Sequence, residues 1–419
     1  MADFSADVVI VGAGAAGAAC AQELRARGFG GSVVLVGREP DLPYSRPLVS
    51  KDYLSGAVGR EATRLRAAAE WDADEIELLT RVSVMKLDPE ARTVKLSDKR
   101  ECSYDKLLLA TGANVRRLRV PGSDLDGIHH LRALANADAV RADAQTAEHV
   151  VLVGGSFVAC EVAATLTAIG KRCTMVMTEE LPLSDVAGTQ AGWFFARALQ
   201  ERGIETITSD SLERFEAAPV AEGQARARVG AVVTASGREI PADMVVMGTG
   251  AVPDVMLARS AKLALGETGG VACASSLETS APGVWAAGDV CEFDSVPHGR
   301  ALRIEHWDVA EAQGRAVAAA MLGAGGDFTC VPYFWSDLSD WCKLEYVGVA
   351  EGWDREVLRG SLEDGAFSIF YFDQGVLRGC LAVNRPDDLN HARRLLAAGG
   401  GLRGPVDALA GLTTDLSGL

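Results

Sequence analysis

An α/β fold of two nested parallel-sheet units followed by a small C-terminal α+β domain is predicted by three observations. A buried strand, a Gly-rich turn and a helix stand in succession from Asp7 to Arg27. The same succession returns at Val150 to Ile169. From about Gly323 the composition shifts to β-branched and aromatic runs with one helical stretch.

The opening stretch organises the rest. Val8 to Val11 form the strand, and Ala15 to Arg27 the helix. Gly12 permits the turn, Gly14 lets the backbone approach a pyrophosphate, and Gly17 lets the helix pack on the strand. Val33 to Val36 make the next strand, with Glu39 just past it, where a carboxylate accepts hydrogen bonds from an adenosine ribose. Strand, turn, helix, second strand and acid together define a Rossmann-like dinucleotide-binding unit.

Along the chain, Pro43 to Lys51 is a loop by its prolines. Glu75 to Ser97 read as short strands with a turn at Asp88-Pro89-Glu90, and Tyr104 to Gly112 as a buried strand stopped by glycine. A linker from Asn114 to Gly122 leads to the second unit, with a strand at Val150 to Val153, a turn at Gly154 to Ala159 and a helix from Glu161 to Ile169. Next come a strand at Cys173 to Met177, a helix at Gln190 to Arg202 and antiparallel strands between Gln224 and Ile240. Met244 to Met247 read as the strand returning the chain to the first unit, which Val284 to Asp289 and a helix from Val309 to Leu322 complete. The expected domains are thus 1–112 and 246–323 for the first dinucleotide unit, 113–245 for the inserted one and 324–419 for the α+β domain. In the last of these, Leu344 to Val349, Phe367 to Phe372 and Gly379 to Val383 read as strands and Asp388 to Ala397 as a helix, with Gly399 to Leu419 as a loosely held tail.

Composition bounds the function. With 419 residues, more than one core is expected. A net charge of −16 argues against nucleic acid or an anionic membrane as primary partner. The nine cysteines have no C-x-x-C pair and no metal spacing, which points to reduced thiols in a cytoplasm and to no metal site. The first residues carry Asp3 and Asp7 and no Lys or Arg, unlike a signal peptide, and no uncharged apolar run reaches the ~18 residues a membrane span needs.

The two Gly-rich turns, Thr111-Gly112, Gly288-Asp289, the segment Pro43-Tyr44-Ser45-Arg46-Pro47-Leu48-Val49-Ser50-Lys51, Arg303-Ile304-Glu305-His306-Trp307 with Gln313-Gly314, and Phe334-Trp335-Ser336 together resemble two-dinucleotide flavoproteins. The likeness is greatest to the NADH-dependent ferredoxin and rubredoxin reductases that serve oxygenases and cytochromes P450, and to apoptosis-inducing-factor-like proteins. Disulfide reductases of that superfamily carry redox cysteines after the second strand. Pro43 to Lys51 has none, so electrons are expected to leave the flavin directly.

The resemblance implies FAD and NADH as cofactors. It gives Gly12, Gly14, Ala15, Ala16, Gly17 and Glu39 to the adenosine and pyrophosphate of FAD, Arg46 to its phosphates and Asp289 to the ribityl chain. Glu305, His306 and Trp307 would meet the pyrimidine side of the flavin ring, and Thr111, Gly112, Gly250, Gly288 and Arg132 complete the cofactor set. Gly154, Ser156, Phe157, Val158 and Glu179 fall to NADH. Lys51 and Glu161 are expected to pair at the flavin, where a cation favours its anionic reduced form, and Trp335 to wall the cavity; these three are the catalytic candidates. Ser156 stands where the pattern has glycine, so its hydroxyl either donates to a phosphate or weakens binding. Glu179, with no arginine nearby for a 2′-phosphate, favours NADH. The partner expected is a small ferredoxin or rubredoxin, steered by a basic patch among Arg46, Arg303, Arg116, Arg117 and Arg119, on a monomer or weak homodimer. A signalling switch and an NADH oxidase are the rival readings.

Overall fold

The computed structural model describes residues 2–219, 226–402 and 404–418. The remaining positions of the expected domains, and the expected strand start at Gln224, lie outside the described residues. Two compact units are formed. One comprises the chain up to Arg46, Glu61–Asn114 and Ala251–Pro332; the other comprises Pro47–Arg60, Val115–Gly250 and the chain from Tyr333.

The first unit is built on a sheet in the order Ile76–Thr80, Val33–Gly37, Phe4–Val11 and Glu101–Leu109, all parallel, extended by the antiparallel strands Thr93–Leu96 and Val84–Asp88. Val284–Ala286 also pairs with Glu101–Leu109. The central strands read as continuous apolar runs because helices cover a parallel sheet on both faces, and Val8 to Val11 are all buried. The helices Ala15–Ala26 and Trp307–Met321 pack closely: a Cβ on Gly314 would lie 2.2 Å from the Ala16 carbonyl oxygen. Glycine at 314 is therefore required by a backbone approach.

The second unit holds a parallel sheet in the order Glu205–Ile207, Arg172–Val176, His149–Val153, Met244–Met247 and Ile128–His130. Met244–Met247 is thus an inner strand of this sheet and does not return the chain to the first unit; its continuous apolar run fits any buried parallel strand. The return falls at Ala251. The helix expected at Gln190 begins earlier, spanning Ser184–Glu201 with a break at Gly188 (φ 77°, ψ 174°). Antiparallel strands Leu212–Ala217, Val229–Thr234 and Glu239–Pro241 lie between the last helix and Met244.

From Tyr333 the chain forms a five-stranded antiparallel sheet in the order Tyr333–Leu338, Cys342–Gly348, Val376–Val383, Ala366–Asp373 and Arg355–Ser361, with helix Pro386–Ala397 packed on it. The segment after Gly399 is pinned, contrary to its composition. Leu409 and Leu416 are buried in this core. The buried Arg359 donates to the carbonyls of Leu409, Gly411, Leu412 and Thr414 while pairing with Asp388 at 3.1 Å. One guanidinium thus captures four carbonyls of this segment.

Candidate functional site

Each unit presents a cradle at the carboxyl edge of its parallel sheet, where strand order reverses and ligands of open α/β sheets bind. In the first unit Gly12 follows Val11 at φ 117°, and a Cβ there would lie 2.0 Å from the carbonyl of Ala110, just past the neighbouring strand. In the second, Gly154 follows Val153 at φ 119°, and its Cβ would lie 2.3 Å from the carbonyl of Gly248, again across the reversal. No residue with a Cβ fits either turn.

The first cradle fits an FAD pyrophosphate and ribose. A Cβ on Gly14 would meet nothing within 4 Å beyond its own chain neighbours, whereas one on Gly17 would lie 1.9 Å from the Gly12 oxygen. One glycine leaves room for a ligand and the other for the helix. The helix N-terminus has no side-chain cap, so its first N–H groups, at Ala15 and Ala16, face the opening. Glu39 lies beyond Val33–Gly37, with Tyr44 donating to Oε2 at 2.6 Å and Arg46 meeting Oε1 at 2.8 Å. Arg46, expected at the phosphates, is held by Glu39 over the Tyr44 ring, with Asp289 adding attraction. Thr111 donates to the Asp254 carbonyl at 2.8 Å, and Gly112 turns at φ 67°.

Gly288 donates its N–H to Gln313 Oε1 at 2.7 Å, and the Nε2 of the buried Gln313 has no hydrogen-bond partner among the described residues. Arg303 pairs with Glu305 and donates to the Asp289 carbonyl at 3.2 Å. His306 occupies the N-cap position of helix Trp307–Met321 without a side-chain capping bond, and Trp307 Nε1 donates to Glu311 at 3.1 Å. Burial lowers the His306 imidazole to about 4, with Asp289 opposing. It is neutral at pH 7, as the positive end of a helix also favours.

The second cradle fits a pyridine nucleotide. Ser156 is the N-cap of helix Phe157–Ala168: its Oγ accepts from Ala159 N at 3.3 Å and donates to the Gly248 carbonyl at 2.9 Å. The N–H groups of Phe157 and Val158 open the helix. A Cβ on Gly155 would stand 3.2 Å from Glu179 Oε2, so that carboxylate lies against the turn despite its late position in sequence. Gly250 accepts from Arg116 N at 2.9 Å, and Arg132 follows the carboxyl end of Ile128–His130.

Within the same unit a buried polar cluster forms around Glu161. Lys51 Nζ lies 2.6 Å from Glu161 Oε1, both side chains being buried or nearly so. Ser336 Oγ donates to Oε1 at 2.7 Å and Ser50 Oγ to Oε2 at 2.5 Å. The expected pair is therefore present, and two serines not singled out from the sequence complete it. Burial pushes the Asp337 carboxyl up, with Lys51 pulling it down and Glu161 pushing it further up. Trp335 lies on the opposite face of strand Tyr333–Leu338 from Ser336, stacked on Tyr333 at 6.0 Å. Cys160, beside Glu161 in sequence, has its thiol pushed up by burial and offers no thiolate.

Of the arginines expected to form a basic patch, Arg46 and Arg303 are engaged by carboxylates. Arg116, Arg117 and Arg119 are exposed, while Leu118 and Val120 between them pack into the core of their unit.

Two nucleotide cradles and a buried lysine–glutamate pair define a pyridine nucleotide-linked oxidoreductase. The chain belongs to the pyridine nucleotide-disulphide oxidoreductase family, whose model matches residues 6–314, and a reductase C-terminal model matches 333–419. It is 35% identical over 390 residues to rhodocoxin reductase of Rhodococcus erythropolis, spanning 93% of this chain and 89% of that protein. Among solved structures it resembles the ferredoxin reductase of the CYP199A2 system from Rhodopseudomonas palustris, with a TM-score of 0.92, 32% identity and 99% of each chain covered. It likewise resembles the reductase of a covalent putidaredoxin reductase–putidaredoxin complex, with a TM-score of 0.92, 32% identity and 100% and 98% of the two chains covered. Among the described residues no helix is long and apolar enough to cross a membrane, and no cluster of His, Cys, Asp and Glu could hold a metal ion.

Proposed function

We propose that this chain is an FAD-dependent reductase that takes electrons from NADH and passes them singly to a small iron–sulfur ferredoxin, or to a rubredoxin, in the service of an oxygenase or cytochrome P450. The observation that carries the reading is the coexistence of two nucleotide cradles with a segment, Pro43 to Lys51, that ends in a buried ion-paired lysine and contains no cysteine. The similar proteins, ferredoxin-type reductases among them, support the same acceptor class.

When bound, FAD supplies a centre that accepts a hydride and gives up electrons one at a time. The chain supplies the rest. Gly14 and the uncapped helix start hold a pyrophosphate, and Glu39 accepts from a ribose. The helix at Phe157 and the carboxylate of Glu179 do the same for NADH. Lys51, fixed by Glu161, contributes a positive charge in a place shielded from water, where charge acts strongly. The nine free cysteines suit a reducing cytoplasm, and we read the protein as a monomer or weak homodimer.

The test is NADH-dependent reduction of cytochrome c by the FAD-loaded protein, with and without a ferredoxin encoded near its gene, over a salt series. Strong stimulation that fades as the ~8 Å Debye length of physiological salt shortens is expected. Absence of stimulation by such ferredoxins and rubredoxins, with rapid peroxide formation, would overturn it in favour of an oxidase.

A further inference from the structure

The first strand of the C-terminal sheet interlocks with the helix of the nucleotide turn. Phe157 and Glu161 stand one turn apart on that helix, and Phe334 and Ser336 point to one face of strand Tyr333–Leu338. The rings of Phe157 and Phe334 meet edge to face at 4.9 Å, and Ser336 Oγ reaches Glu161 Oε1 at 2.7 Å. Ser50 takes the other oxygen at 2.5 Å, and its own carbonyl accepts the Thr165 hydroxyl at 2.8 Å. Ser50, Glu161, Thr165 and Ser336 are all buried.

Each carboxylate oxygen thus has its own hydroxyl donor, and Lys51 meets an oxygen whose direction Ser336 sets. Without the serines, a glutamate with three rotatable bonds and a lysine with four would exchange among rotamers, and the ammonium would lose its fixed place. A buried carboxylate short of a donor is also left under-satisfied, which loosens the geometry of the pair it holds.

We propose that Ser336, seconded by Ser50, is a positioning residue of the redox site: it clamps Glu161 so that the Lys51 ammonium is held in one direction, making the C-terminal sheet a working part of electron transfer. This rests on the reading of Lys51 as the cation that acts on the flavin.

The experiment uses the full-length, FAD-loaded protein and its Ser336→Ala, Ser336→Thr and Ser50→Ala variants. Two quantities are read: the flavin midpoint potential by equilibrium titration without NADH, and the limiting rate and half-saturating NADH concentration of flavin bleaching in stopped flow. Ser336→Ala is expected to keep its FAD, lower the midpoint potential and slow the limiting rate about tenfold, as loss of one hydrogen bond to a charged group implies. The half-saturating NADH concentration should change little, and Ser336→Thr should restore both quantities. Wild-type potential and rate in Ser336→Ala, alongside changes in both for Glu161→Gln, would overturn the clamp. Should Ser336→Ala lose FAD, Ser50→Ala decides: a lowered potential supports the clamp, and a wild-type potential overturns it. A wild-type protein that NADH fails to bleach would instead sink the proposed function, while the potentials of the variants still report on the clamp.

Discussion

The hydroxyl of Ser156 donates to the carbonyl oxygen of Gly248 at 2.9 Å and accepts the Ala159 N–H at 3.3 Å. The serine that replaces the middle glycine of the second turn is thus occupied in closing the turn on itself. It ties the helix start to the neighbouring strand end across the point where strand order reverses.

Replacing Ser156 by alanine should cost about 1 kcal/mol of stability, the usual worth of an N-cap. Thermal melting and NADH titration of the variant test this. A fall in melting temperature with nearly unchanged NADH affinity is expected. An affinity loss of about tenfold or more with unchanged melting would show the hydroxyl serving the phosphate.

Lys51 and Glu161 should behave as a unit. Breaking a buried ion pair from one side leaves an uncompensated charge, at roughly 3 kcal/mol, so Lys51→Met and Glu161→Gln should each be costly in stability and in hydride-transfer rate. The double variant should cost less than their sum. Chemical denaturation and stopped-flow bleaching of all four proteins give the cycle, and strict additivity would contradict the 2.6 Å contact.

Glu179 lies against Gly155 in the second turn, and with a nucleotide in the proposed site its charge would repel a 2′-phosphate. NADH should therefore exceed NADPH in kcat/KM, and Glu179→Gln should narrow the ratio by about tenfold, the order of a close like-charge term near a protein surface. Equal use of the two nucleotides by the wild type would refute the assignment.

His306 gives a pH dependence of known sign. Its folded pKa is lowered by burial to about 4, below the ~6.5 of an unfolded histidine, so the unfolded chain binds the extra proton first. The contribution is fully present above the unfolded value and is lost as pH falls from about 6.5 toward 4. Denaturation of wild type and His306→Gln across this window should show the variant losing less stability on acidification; parallel curves would contradict it.

The parts of the site carried by local pattern were legible in the sequence. Gly12, Gly14, Gly17 and Glu39 form one strand–turn–helix–strand run, and the structure puts them where that run requires. The Glu161 clamp was not legible, because Ser50 and Ser336 lie 111 and 175 positions from Glu161 and a serine carries no periodicity of its own. In a strand with alternating burial, neighbours in sequence face opposite ways, so the residue that reaches Glu161 is Ser336. Met244–Met247 was legible as a strand but its neighbours in the second sheet were not, since an apolar run does not name them.

Arg359 sets an order on biosynthesis. Its guanidinium is buried beside the edge strand of the last sheet, and the carbonyls that satisfy it come from residues 409 to 414. Strand Arg355–Ser361 therefore leaves the ribosome carrying a cation that has Asp388 within reach soon after, but no complete set of acceptors until residue 414 has emerged. Closure of that core is tied to late events of translation, and a stalled nascent chain would leave Arg359 in water and expose the apolar face that Leu409 and Leu416 cover.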